Sequence, residues 1–321
     1  MQLEEIRTIG ILGAGIMGHG IAQSFLMGEY PVKLYDIKEP ILKTARAHIQ
    51  KNLGLFSRAG LIPQEKIELF LSKLATTTDL PLAVKGADLV VEAAPEDLKL
   101  KQDLFQKVES YVREDTILAS NTSSLTLTDI GLKVKKKGRL VITHWFNPPH
   151  IVPVVEVVKG EKTSDETVET VYQLLTKIRK VPVKLNLELP GFLVNRIQIA
   201  LAREVFDLFE KGVASVADID KAVKGSIGFR LASIGPMLTA DLGGLDLWLK
   251  VCGNLLPHVQ SSPEPPGALQ RLVAQGHLGI KSGKGFYDYA VDLAKAGLDE
   301  AIVKRDEEFL KRLKDLYWGK N

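Results

Sequence analysis

The chain has 321 residues, of which 45% are hydrophobic and 25% charged, with a formal net charge of +3 and an isoelectric point near 8.7. That composition is an ordinary globular one with room for two domains, and its charge is too mild to argue for a nucleic-acid partner. One cysteine, Cys252, excludes an internal disulfide and a cysteine-rich zinc site.

The first residues, "MQLEEIR", are acidic and run directly into an apolar stretch, so no secretory leader is expected. No apolar run approaches the ~20 residues needed to span a bilayer, and we expect a cytoplasmic protein without membrane association. Ile6 to Leu12 reads as a buried strand that opens into Gly13-Ala14-Gly15-Ile16-Met17-Gly18 and then a helix ended by Gly28. A second apolar run, Val32 to Tyr35, ends in Asp36. A GxGxxG alone is weak, but here it follows a strand, opens a helix and has an acid about 20 residues on. Gly13 would allow the tight turn, Gly15 the approach of a pyrophosphate and Gly18 close helix–strand packing. The N–H groups of the helix start would face the phosphates. Asp36 would accept from the ribose hydroxyls and repel a 2′-phosphate, which selects NAD over NADP. The plainer alternative is that the glycines serve packing only.

Residues 41–59 are helical in pattern, 74–80 and 87–96 strand-like, and a helix follows from Glu96 with Leu98, Leu104, Phe105 and Val108 on one face. "TILASNTSSL" and "RLVITHWF" supply further strands. Alternating strands and helices predict a parallel, doubly wound sheet whose ligands lie beyond the carboxyl ends of its strands. Glu92 to Pro95, Ser120 to Ser123 and His144 all fall at such ends. The basic cluster "KVKKKGR" (133–139) lies between two elements and reads as a solvated turn.

In "ITHWFNPPHIVPVVEVV" (142–158) an acid, Glu156, interrupts an apolar strand, and His144 ends the preceding one. Pro148 and Pro149 end the first strand and Pro153 marks an edge or irregular entry to the second. Neighbouring strands could bring the two side chains together. The carboxylate would then fix the imidazole tautomer and leave the other ring nitrogen as a general base, the group an NAD-dependent oxidation of an alcohol requires. A structural ion pair is the alternative. Metal binding is disfavoured, because His150 stands six residues on, beyond two prolines.

After about residue 185 the pattern turns helical. Pro190 and Gly191 precede a long helix with Leu193, Ile197, Leu201 and Val205 at four-residue spacing, closed by Gly212. "SVAD" (215–218) looks like a capping box, and "SSPEPPGA" (261–268) like a loop. Asn195, on the long helix, is from pattern alone either a tolerated polar surface position or a site residue. The expected organisation is a Rossmann-type doubly wound α/β domain over 1–186 and an all-α domain over 187–321.

The segments "GILGAGIMGHGIA", "DLVVEAAPEDLKLKQDLF", "ASNTSSL", "HWFNPPHIVPVVEVV", "GFLVNRI" and "GIKSGKGFYDY" together resemble the L-3-hydroxyacyl-CoA dehydrogenases over nearly the whole chain. The resemblance implies His144 and Glu156 as the catalytic pair, with Ser123 and Asn195 polarising the reacting oxygen. It implies an NAD site of Gly13, Gly15, Ile16, Met17, Gly18, Asp36, Glu96 and Asn121, and a homodimer built by the helical domain. Substrate contacts fall on Ser123, Asn147 and Asn195, with Asn52 and Arg58 at the position where family members meet the CoA. Two departures stand out: Ala59 where such members carry lysine, and Pro153 where they often do. "NPPHIVPVVEVV" is similar to the L-gulonate 3-dehydrogenase/lambda-crystallin type, whereas "LGIKSGKGFYDY" resembles the 3-hydroxybutyryl-CoA type. The expected substrate is a 3-hydroxyacyl-CoA, with a free 3-hydroxy acid as the alternative. A non-enzymatic NAD-binding structural protein is the remote one, against which the intact Ser123, His144, Glu156 and Asn195 argue.

Overall fold

The computed structural model describes residues 1–319, in two compact units. The first runs from Met1 to Leu193 and takes in the C-terminal residues from Glu307 on; the second is Val194–Asp306.

In the first unit the strands are β1 (Ile9–Leu12), β2 (Val32–Tyr35), β3 (Leu74–Thr77), β4 (Leu89–Glu92), β5 (Ile117–Ser120), β6 (Leu140–Trp145), β7 (Val154–Val158) and β8 (Val181–Leu185). They form one sheet in the order β3-β2-β1-β4-β5-β6-β7-β8, antiparallel only between β6 and β7. Alternate residues of each strand feed opposite faces. Ile9, Ile11, Leu34 and Val91 pack with helices α1 (Ile16–Met27) and α2 (Glu39–Arg58). Leu12, Val90, Leu118 and Ile142 pack on the other face, with α4 (Leu80–Val84) and α5 (Leu98–Glu109). Between α2 and α4 lies α3 (Lys66–Ser72), and α6 (Leu127–Ile130) and α7 (Asp165–Lys177) complete the covering. A doubly wound sheet with apolar cores on both faces is what near-continuous Val/Ile/Leu strands require.

Several limits shift in detail: the strand expected over 87–96 is Leu89–Glu92, and the helix after it starts at Leu98, capped by Asp97. The first strand begins at Ile9, because Leu3–Glu5 form a 3₁₀ turn that closes on Ile6. The run 74–80 ends as a strand at Thr77, where Asp79 accepts from the Leu82 N–H and caps α4. The basic cluster keeps Lys133, Lys135 and Lys136 exposed, as a solvated turn requires, while Lys133 pairs with Asp103, Lys136 with Glu114 and Arg139 with Glu109. The C-terminal residues return to the end of α2. Leu310 and Leu313 are buried, the Trp318 ring lies 5.8 Å from that of Phe56, and Lys314 Nζ donates to the Ala59 carbonyl at 3.2 Å.

The second unit is helical: α8 (Val194–Glu210), α9 (Val216–Ala222), α10 (Phe229–Ile234), α11 (Pro236–Gly243), α12 (Leu245–Leu255) and α13 (Gly267–Ala274). The last helix, α14 (Ala290–Leu313), is broken at Gly297, with φ 75°. Ser215 caps α9 by accepting from the Asp218 N–H, as its sequence suggested. No helix among the described residues is long and apolar enough to cross a membrane.

Candidate active site

The glycine loop after β1 is built by steric demand at two of its three glycines. Gly13 has φ 101°, its N–H donates to Tyr35 O at 2.8 Å, and a Cβ there would sit 2.6 Å from Ala93 O. A Cβ on Gly18 would sit 1.7 Å from Gly13 O. Gly15 differs: nothing in the chain lies within 4 Å of its missing Cβ. Packing therefore explains Gly13 and Gly18 but leaves Gly15 beside open space, where a phosphate can approach the backbone. The first turn of α1, with Ile16 and Met17, has no side-chain cap, and Ile16 is exposed. Uncapped N–H groups at a helix start suit an anion. Asp36, at the end of β2, accepts from the Ala14 N–H (2.9 Å) and the Lys38 N–H (3.3 Å), so it also braces the loop. These residues fit a dinucleotide.

Beyond the ends of β4 and β5, where the sequence placed polar strand ends, lies a polar network whose buried lysine the sequence pattern did not reveal. Glu92 and Lys101 are buried and paired at 2.7 Å. Glu92 also accepts from the Ser120 hydroxyl (2.6 Å) and the Ala94 N–H (2.7 Å). Lys101 reaches Glu96 at 3.3 Å. Glu96 Oε1 gathers the Thr122 hydroxyl (2.6 Å) and the N–H groups of Ser123 (3.0 Å) and Ser124 (3.1 Å). Burial pushes the Glu96 carboxyl up. The Thr122 hydroxyl, the Lys101 ammonium and the Ser123 N–H outweigh it and hold the group at about 2. Glu96 thus shapes the turn that presents the exposed side chain of Ser123. Asn121 Oδ1 accepts from the Trp145 N–H at 2.9 Å, which joins this turn to the strand carrying His144.

His144 and Glu156 stand directly opposite each other in the antiparallel β6–β7 pair. His144 Nδ1 lies 2.7 Å from Glu156 Oε2, with Glu156 fully buried and His144 nearly so. The second carboxylate oxygen accepts from the Leu193 N–H at 3.0 Å. Gly191 (φ 78°) and Phe192 (φ 52°) turn the chain to aim that N–H, and the Phe192 ring lies 5.3 Å from the imidazole. Phe146 flanks it at 4.5 Å. With both carboxylate oxygens engaged, the imidazole orientation is set, and Nε2 makes no hydrogen bond with any described residue. Such an arrangement can take up and return a proton.

The other candidates are not drawn into this contact. Asn147 is exposed just past β6. Asn52 and Arg58 lie on α2, half-buried and exposed respectively, and neither bonds to the others. Ala59 caps the C-terminus of α2, and the cation found at its carbonyl is Lys314 from the far end of the chain. Asn195 is the second residue of α8, in the helical unit, and half-buried. No spacing in the sequence pointed to Leu193 N–H or Lys101, although Gly191 after Pro190 marked a backbone turn.

The profile of the 3-hydroxyacyl-CoA dehydrogenase NAD-binding domain matches residues 8–188, and that of the same family's C-terminal domain residues 191–289. The chain is 35% identical over 292 residues to the 5-formyl-3-hydroxy-2-methylpyridine 4-carboxylate 5-dehydrogenase of Mesorhizobium japonicum, covering 91% of this chain and 93% of that enzyme. A crystal structure of an enzyme of that activity, described as an NAD+-dependent dismutase, superposes with a TM-score of 0.88 at 32% identity, over 97% of this chain and 98% of the other. The (S)-3-hydroxybutyryl-CoA dehydrogenase of Ralstonia eutropha gives 0.72 at 33% identity, over 88% and 99%. With both domains matched and the nucleotide loop in place, the chain is an NAD-dependent oxidoreductase belonging to the 3-hydroxyacyl-CoA dehydrogenase family.

Proposed function

We propose that the protein catalyses the reversible oxidation of an L-3-hydroxyacyl-CoA to the 3-oxoacyl-CoA. The observation that carries this reading is the 2.7 Å contact between His144 and the fully buried carboxylate of Glu156. NAD, when bound, supplies the hydride acceptor. The chain does the rest. His144 Nε2 takes the hydroxyl proton, and Glu156 holds Nδ1 and stabilises the imidazolium that forms. Ser123 and Asn195 hydrogen-bond the reacting oxygen as its charge develops. Gly13, Gly15, Ile16, Met17, Gly18, Asp36, Glu96 and Asn121 make or shape the cofactor site. The test is NADH formation with 3-hydroxybutyryl-CoA against free 3-hydroxy acids. No thioester turnover sinks this choice of substrate.

A second reading is a free hydroxy acid. It is favoured by Ala59 at the expected CoA-contacting position. It is also favoured by the TM-score of 0.88 to an enzyme named for a pyridine carboxylate, against 0.72 for the CoA enzyme. Turnover of the free acids without thioester activity would establish it.

The working form is a homodimer. In the helical unit Ala268 is the only buried hydrophobic residue among those described, while Phe229, Met237, Leu242, Leu245 and Leu249 are exposed. Apolar surface on that scale is covered in a stable protein, and a second copy meets it symmetrically. A monomeric mass in solution would exclude it.

A further inference from the structure

Between Trp145 at the end of β6 and Val154 at the start of β7, the chain turns through a corner. Its geometry decides whether Glu156 returns opposite His144. A one-residue slip would send the carboxylate to the other face of the sheet. Within the corner, Ile151 and Val152 donate to Pro148 O at 3.0 and 2.9 Å. The corner also rests on α1. The Ser24 hydroxyl donates to Pro149 O at 3.4 Å, and a Cβ on Gly20 would come within 2.6 Å of Pro149 Cγ and 2.9 Å of His150 Nδ1.

Lys180, the residue before β8, ends inside this corner. It is 6% exposed. Its Nζ donates to Pro149 O at 2.6 Å and to Val152 O at 3.0 Å, and lies 5.3 Å from the centroid of the Trp145 ring. No carboxylate among the described residues pairs with it, and burial alone pulls its pKa down to about 7. An amine placed this way is costly to keep. A surface lysine of the same length would leave the fold unburdened, so the cost points to work done by the two carbonyl contacts. They tie the first and last parts of the corner together, one residue before Pro153 and four before Glu156.

We propose that Lys180 is a positioning residue of the oxidation. It clamps Pro149 to Val152, which sets Glu156 against His144 and keeps the corner seated on α1, the helix whose first turn faces the dinucleotide. The inference rests on the His144–Glu156 reading. Its effect on chemistry comes through the precision with which the base is held, where small displacements are expensive.

The experiment compares Lys180→Met, Lys180→Gln and Lys180→Arg with His144→Gln. The readouts are melting temperature, NADH affinity by fluorescence, kcat and the primary deuterium isotope effect on kcat. Lys180→Met should stay folded and bind NADH within about twofold of the parent, yet lose about ten- to a hundredfold in kcat, with a larger isotope effect. Lys180→Arg, which keeps charge and donors, should recover part of that loss. If Lys180→Met lowers only the melting temperature and leaves kcat and the isotope effect unchanged, Lys180 is structural and the proposal falls. Should that variant not fold, Lys180→Gln carries the same expectation, and parental kcat in it overturns the proposal equally. His144→Gln separates the two layers. If it retains activity, the reaction reading itself fails; if it is inactive while Lys180→Met is not, only the role of Lys180 fails.

Discussion

Replacing Glu156 by glutamine tests the pair with the least collateral change. The amide keeps an acceptor for the Leu193 N–H, now 3.0 Å away, and nearly the same volume, so the fold should survive. What disappears is the negative charge 2.7 Å from His144 Nδ1. A charge-assisted hydrogen bond to a buried imidazolium is worth about 2–4 kcal/mol. At 1.36 kcal/mol per factor of ten, that predicts a fall of about 30- to 10³-fold in kcat. The amide can also turn its NH₂ toward the ring and favour the wrong tautomer, which deepens the loss. NADH formation at saturating substrate measures it, with a thermal melt as the control for folding. Glu156→Ala should in addition cost about 1 kcal/mol of stability, because it leaves the partly buried Leu193 N–H without its acceptor. A folded Glu156→Gln enzyme with parental kcat would refute the argument, since the buried charge would then serve the sheet and not the reaction.

Three further outcomes follow from the geometry. Gly15→Ala should leave the melting temperature nearly unchanged and weaken NADH binding, whereas Gly18→Ala, with its Cβ 1.7 Å from Gly13 O, should destabilise the fold outright; fluorescence titration and melting separate them. Glu96 titrates at about 2 in the fold and near 4.3 when unfolded, so its stabilising effect is complete above the higher value and is lost as pH falls toward the lower. Glu96→Gln should flatten that part of the acid-denaturation profile and raise KM through the Ser123 turn. Gly20→Ala, a favourable change in an ordinary helix, should here lower both stability and kcat, because the new methyl meets Pro149; a stabilised, fully active variant would show that the corner yields freely.

The nucleotide half was legible because its chemistry is local. A strand, three spaced glycines, a helix start and an acid at the next strand end lie within about thirty residues, and each has a backbone reason to be where it is. The β6–β7 stretch was legible for a related reason. An acid in the middle of an apolar strand is an anomaly at the level of composition, and its partner lay only 12 residues away, across one turn. Strand limits moved where a cap or a 3₁₀ turn intervened, at Asp79 and at Leu3–Glu5.

The long-range contacts came only with the tertiary structure. Leu193 meets Glu156 across 37 residues, Lys180 meets Pro149 across 31, and Lys314 meets Ala59 across 255. Each depends on a backbone N–H or carbonyl, or on a lysine indistinguishable in sequence from the solvated ones around it. Periodicity and motif spacing report which face of an element is apolar and which turns are tight. They do not report which distant lysine is buried or which carbonyl it reaches, because those follow from the order and direction in which the strands assemble. The sequence alone therefore determined the fold class, the cofactor loop and the presence of an acid–histidine pair. The pairing of β6 with β7, and the turn at Gly191 and Phe192 that aims the Leu193 N–H, decided how that pair is held.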